Sequence, residues 1–167
     1  MIYRLKKEGI IRAEYKGGYY KPFVGIFGES KLSLIKLRQL KYLKDKQGNI
    51  KGYITVAKLF NILVLSTQVP NVTDIATNEC KYHKQYDMKL RTYISKPKIQ
   101  INNENYKYLQ FIDILENRVK INIEAQNANE ILYNVIKEYN LDFEKILKYV
   151  RETKSKNIID KLLVLAR

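Results

Sequence analysis

The chain has 167 residues, 46% of them apolar, with 7 Gly and 3 Pro; this suits one domain or a domain with a small annex and excludes both a disordered chain and a large multidomain enzyme. Its 31 Lys and Arg against 17 Asp and Glu give a formal charge of +14, which says nothing of fold but points to a polyanionic partner, nucleic acid first. A single cysteine, Cys80, excludes an internal disulfide and fits a reducing compartment.

Tyr3 to Glu8 reads as the end of a helix that stops at Gly9, a residue suited to the left-handed backbone just past a helix C-terminus. Ile10 to Glu14 and Tyr19 to Phe23 flank Lys16-Gly17-Gly18, and paired glycines between two β-prone runs predict a hairpin. Lys31 to Lys44, with Leu32, Ile35, Leu40 and Leu43 among basic residues, predicts a helix with a cationic face. Asp45 to Asn49 interrupts that pattern and divides the chain into a basic region, 1–47, and a second domain, 48–167.

In the second domain, Thr55 is placed to N-cap a helix reaching Leu63 or Val64, with Val56, Leu59, Phe60 and Leu63 as its core stripe. Ser66 to Pro70 ends it. Val72 to Thr77, Arg91 to Ser95 and Lys98 to Asn102 are short β-prone runs, predicted to form an antiparallel sheet because their connections are too short for parallel crossovers. Asn105 to Asn117, Asn129 to Tyr139, Asp142 to Arg151 and Ser155 to Ala166 each repeat apolar residues at helical spacing.

Charge is concentrated early: the first sixty residues hold 14 basic and 4 acidic side chains, residues 61–104 hold 6 and 4, and residues 105–167 hold 11 and 9. The amino-terminal third is therefore the expected phosphate-binding part. Met1 to Glu8 lacks the apolar stretch of a secretory signal. The longest apolar run, Leu59 to Leu65, is broken by Asn61 and falls well short of the roughly twenty residues that span a bilayer. A cytoplasmic protein with no membrane partner is expected.

Enzyme chemistry finds little support. His83 lies three residues after Cys80, half of a zinc-site spacing whose other half is absent, and nothing around the pair marks a nucleophile elbow. No phosphate-binding glycine loop is present, and acidic pairs such as Asp142 with Glu144 or Glu116 with Glu124 fit polar helix faces. The expectation is a non-enzyme with no cofactor, no metal site and no catalytic residue. What remains is the basic constellation of Arg4, Lys6 and Lys7 on the first helix and Arg12, Lys16 and Lys21 on the hairpin, interleaved with Tyr19 and Tyr20.

Leu5-Lys6-Lys7-Glu8-Gly9-Ile10-Ile11-Arg12 followed by Lys16-Gly17-Gly18-Tyr19-Tyr20-Lys21-Pro22 resembles the recognition-helix end and wing of the winged-helix domain in AbiEi-type antitoxins of type IV toxin–antitoxin (abortive infection) systems. Gly52-Tyr53-Ile54-Thr55, Leu65-Ser66-Thr67-Gln68-Val69-Pro70 and Asp74-Ile75-Ala76-Thr77-Asn78 are similar to the second domain of the same group. The resemblance implies an α+β protein: a partial winged-helix-like unit without its front helices, then a small antiparallel-sheet domain and a helical C-terminus. It also implies a transcription regulator that binds double-stranded DNA at its own operon promoter and counters a nucleotidyltransferase toxin without a stable complex. Arg4, Lys6, Lys7, Arg12, Lys16, Gly17, Tyr19 and Lys21 are the nucleic-acid-binding residues it carries over. Similar sequences carry a glycine where this chain has Val64, so the helix before it is expected to lack a left-handed ending. The alternative function is a non-enzymatic protein-interaction module that no longer reads DNA sequence.

Overall fold

Gly9 takes the left-handed backbone, φ +73, that closes α1 (Ile2–Lys7) in the computed structural model, as its position predicts. Residues 1–15, 18–26, 28–29, 32–67, 69–117, 127–155, 158, 159 and 162 are described by the structure. The fold is α+β, with six α-helices and three small sheets among the described residues. The chain divides after Leu37 into two units, Met1–Leu37 and Arg38–Arg167.

In the first unit α1 leads into a hairpin of β1 (Arg12–Tyr15) and β2 (Gly18–Tyr20), then a shorter one of β3 (Val24–Gly25) and β4 (Gly28–Glu29). Arg12 lies opposite Tyr20 and Ala13 opposite Tyr19, with an irregularity before Tyr15. The predicted wing loop at Lys16 and Gly17 lies outside the described residues. Leu37 is the one buried side chain among the described residues of this unit.

The helix predicted over residues 31–44 is described as α2 (Leu34–Arg38) running into a π-helical turn, Gln39–Leu43, where the Lys44 N–H reaches back five residues to the Gln39 carbonyl at 2.9 Å. Tertiary bonds attach residues 38–44 to the second unit. Arg38 Nη2 and Nε donate to the Leu90 carbonyl at 2.7 and 3.0 Å, and Nε also donates to Thr92 Oγ1 at 2.9 Å. Lys41 Nζ and Tyr42 OH both donate to Asp87 Oδ2, at 2.7 and 2.6 Å. Asp45 to Asn49 is a tight turn: Asp45 Oδ1 accepts the Asn49 N–H at 2.8 Å, and the bridge between Lys44 and Ile50 closes it.

The second unit holds a four-stranded sheet in the order β5 (Gly52–Thr55), β6 (Thr73–Thr77), β8 (Thr92–Ser95), β7 (Lys84–Asp87). Its outer pairings are antiparallel, but β6 and β8 run parallel, which corrects the expectation of an all-antiparallel sheet. The chain reverses twice between β6 and β8. Because β7 takes the sheet edge instead of the middle, β8 is inserted beside β6 with the same direction. Lys98 to Asn102, expected as a strand, is not one; Ile101 from it is buried against Tyr53, Ala76 and Leu109. Gly52 is needed where it stands, since a Cβ there would come within 2.3 Å of the Tyr42 carbonyl oxygen and 2.8 Å of that of Ala76.

Helices α3 (Val56–Ile62), α4 (Tyr106–Asn117), α5 (Ala128–Glu138) and α6 (Phe143–Glu152) supply the main core, with Phe60, Phe111, Leu115, Leu132 and Ile146 fully buried. Thr55 occupies the N-cap position of α3 without a side-chain capping bond, whereas Asp142 Oδ1 caps α6 by accepting the Lys145 N–H at 2.9 Å. Of the helix predicted from Ser155 to Ala166, Ser155, Ile158 and Leu162 are described as buried and Ile159 as exposed, and the rest lies outside the described residues. No helix among the described residues is long and apolar enough to cross a membrane.

α3 does have a left-handed ending, against the expectation raised by Val64. Val64 adopts φ +58, its N–H bonds the Asn61 carbonyl at 3.1 Å, and the Leu65 N–H bonds that of Phe60 at 2.8 Å. This pairing satisfies the last carbonyls of the helix, and Asn140 and Lys154 end α5 and α6 in the same way. A β-branched side chain in this backbone costs about 1–2 kcal/mol that glycine avoids. Val64 is exposed and loses little packing on truncation. Val64→Gly should therefore raise stability by about 0.5–1 kcal/mol after the entropy glycine adds to the unfolded chain; urea denaturation checks this, and a lowered midpoint contradicts it.

Candidate functional site

The predicted nucleic-acid residues fall into three groups. Arg4 and Lys7, three apart on α1, share a face, and Lys6 lies across the helix from Arg4. All three are exposed, but Arg4 Nε donates to Glu8 Oε1 at 2.7 Å, one turn on. Arg12 is engaged more firmly: its Nε and Nη2 fork onto Glu29 Oε1 and Oε2 at 2.9 and 3.3 Å, tying β1 to β4. That hydrogen bond and the Glu29 charge raise the guanidinium pKa above its ordinary value, so Arg12 acts first as a clamp between hairpins.

The hairpin register separates residues that the sequence interleaves. Arg12 and Tyr20 share one face of the ribbon, while Tyr19 sits with Ala13 on the other. Tyr19 and Lys21 are exposed. Lys6, Lys7 and Lys21 make no ion pair among the described residues. Lys16 and Gly17 lie outside the described residues. The first unit as a whole carries eight basic and three acidic side chains.

Cys80 is buried, its thiol directed at the Tyr82 carbonyl at 3.0 Å, while His83 is exposed. No group of three or more metal-ligating side chains is found among the described residues.

The second unit contains a polar cluster that sequence reasoning missed. Asp113 and Glu116, three apart on α4, line a cavity of about 110 Å³ together with Tyr53 from β5, Lys98 and Thr153. Tyr53 OH donates to Asp113 Oδ2 at 3.1 Å. Glu116 Oε1 takes both the Lys98 ammonium and the Ser155 hydroxyl, and Ser155 is bonded to Thr153 Oγ1 at 2.9 Å. Burial and the Glu116 charge push the Asp113 carboxyl up to about 7, against the opposing Tyr53 hydrogen bond and the Lys98 charge. Burial and the Asp113 charge likewise push the Tyr53 phenol up, so it stays a donor. The one signal in the sequence was two carboxylates at i and i+3 on a helix whose neighbouring positions are apolar.

No protein-family model matches the chain, and no curated protein matches it in sequence.

Proposed function

We propose that the chain binds duplex DNA through its first unit, as an antitoxin-like transcriptional regulator of the type IV toxin–antitoxin kind that its sequence resembles. The observation that carries this reading is the set Lys6, Lys7 and Lys21: exposed ammonium groups on a helix and a hairpin, in a unit of strong positive excess, without ion pairs among the described residues. Such groups suit phosphate contacts, which position a protein on DNA and release counterions. Tyr19, exposed on the hairpin, adds a ring that can lie against sugar or base. Arg4 and Arg12 contribute less, because each has a glutamate partner.

A salt titration tests this. The logarithm of affinity for duplex DNA should fall linearly with the logarithm of salt concentration, and replacing Lys6, Lys7 and Lys21 together by Ala should flatten the slope by roughly three units, about one per lost phosphate contact. Arg12→Ala, which removes the clamp to Glu29, should change it by less. Affinity that ignores salt, or a slope unchanged in the triple variant, refutes the reading. A duplex from the chain's own promoter compared with a shuffled one then separates sequence reading from backbone binding.

The interaction-module reading is favoured by one observation: Phe23, Val24 and Ile26, around the second hairpin, are 72%, 73% and 99% exposed. Apolar side chains grouped in this way suit a protein surface better than phosphates.

A further inference from the structure

The cavity of the second unit is lined by groups of both charges. Glu116 and Lys98 neutralise each other, with Ser155 and Thr153 completing their hydrogen bonds. Asp113 uses only Oδ2, for Tyr53; Oδ1 accepts no hydrogen bond among the described residues. Lys96, an exposed residue that also lines the cavity, has no ion pair among them. Leu109 and Ile112 add apolar side chains to the lining.

We propose that this cavity binds a small zwitterion, a free amino acid, with Asp113 as counter-ion to its ammonium group and Lys96 as counter-ion to its carboxylate. Size restricts the choice: a cavity of about 110 Å³ is well below the roughly 300–1,000 Å³ of a pocket for a drug-sized ligand. That takes an amino acid with a short aliphatic side chain and is too small for a nucleotide. Charge restricts it further. A lone anion meets Asp113 and Glu116 on α4, and a lone cation leaves Lys96 unmatched. Three features preorganise the site: Tyr53 fixes the Asp113 carboxylate from β5, the Lys98 pair holds Glu116 away from the ligand, and Leu109 and Ile112 offer apolar surface to a methyl or isopropyl group.

The groups facing Asp113 set its pH behaviour. Tyr53 donates to it, Glu116 repels its charge, and Lys98 attracts it but is spent on Glu116. A carboxyl pushed up to about 7 by burial has no cation of its own, and an arriving ammonium group supplies one. Binding should then expel a proton from Asp113 below about neutral pH and tighten as pH rises from about 6 to about 8, while the ligand's own ammonium stays charged.

The test uses the full chain with glycine, alanine, serine and valine as probes at millimolar concentration, followed by calorimetry and thermal melting. At least one should bind and raise the melting temperature. For alanine as the example, propionate and ethylamine, which each lack one charged end, should bind about tenfold more weakly or worse. Asp113→Asn keeps the shape and the Tyr53 contact, and should weaken amino-acid binding about tenfold and abolish its rise with pH. Lys96→Met should weaken alanine binding and leave ethylamine binding unchanged. An NMR titration of the Asp113 carboxyl carbon in the parent protein gives a readout independent of the variants: the bound amino acid should lower its midpoint. No binding by any of the four probes, propionate binding as tightly as alanine, or an unmoved Asp113 midpoint overturns the proposal. None of these outcomes bears on the salt titration of the first unit.

Discussion

Phe60→Ala should destabilise the second unit by about 3–5 kcal/mol, lowering its melting temperature by about 10–20 °C. The ring is completely buried on α3, within the cluster that joins α3 to α4, α5 and α6 through Leu59, Leu65, Phe111 and Leu132. Truncation removes the transfer energy of an aromatic side chain and leaves a cavity that four packed helices can only partly close. Against a typical total of about 5–15 kcal/mol, this threatens folding at physiological temperature. Its backbone carbonyl also accepts the Leu65 N–H that ends α3, so relaxation into the cavity would pull on the helix terminus. Phe60→Leu should recover more than half of the loss, because it refills most of the volume. Thermal melting of both variants checks this, and a Phe60→Ala protein that melts like the parent would make α3 a surface element rather than a core one.

Leu59 and Phe60 of the core stripe on α3, and the helices α4, α5 and α6, were legible because each repeats apolar residues at a period that local geometry alone sets. Gly9 was legible for the same reason, since its left-handed conformation is a property of one residue and its neighbours. What the sequence hides is decided by residues far apart. The order of β7 and β8 in the sheet depends on pairings between β6 and β8 that no local pattern encodes. The helix predicted from Lys31 to Lys44 gives way to a π-helical turn where Arg38, Lys41 and Tyr42 find partners at positions 87, 90 and 92. Those bonds bring residues 38–44 to the second unit, so the boundary read from the break at Asp45 to Asn49 and the division after Leu37 fall at different places.

The proposed binding residues divide along the same line. That Lys6, Lys7 and Lys21 are exposed follows from their types, and the structure agrees; Tyr19 is exposed as well, which its type does not dictate. Alternation along the hairpin already placed Arg12 and Tyr19 on different faces once the turn was set, a step that composition passes over. Arg12's engagement with Glu29, seventeen residues on, could not be read without knowing how the two hairpins meet. Asp113 was hard to read for a stronger reason. Its partner Tyr53 is sixty residues away, and the Asp113 and Glu116 pair on an amphipathic helix looks like any solvated pair until the sheet beneath it is known.

Asp113→Asn should stabilise the protein at alkaline pH and flatten its stability profile. The Asp113 carboxyl has a pKa of about 7 when folded, against an ordinary value of 3.8. A group whose folded pKa lies above its unfolded value binds protons more readily in the native state, so its stabilising contribution is complete below about pH 4 and is lost as pH rises through about 7. The rise from 3.8 to about 7 corresponds to a loss on the order of 4 kcal/mol between acid and mildly alkaline solution. Other carboxylates act in the opposite direction. Although burial works to raise it, Asp87 is held below the ordinary range by hydrogen bonds from Lys41, Tyr42 and the Leu90 N–H, and so stabilises the fold above that range. The total profile mixes these terms, but subtracting the Asp113→Asn curve from the parent curve cancels Asp87 and isolates Asp113. The difference should favour the variant increasingly from about pH 5 to about pH 8, because Asn keeps a Tyr53 hydrogen bond and carries no charge into the cavity wall. Tyr53→Phe removes the donor that favours the carboxylate, and should steepen the loss of stability with pH. Urea midpoints across that range decide the matter: parallel curves for parent and Asp113→Asn would mean that the carboxylate is solvated well enough to ionise at its ordinary value.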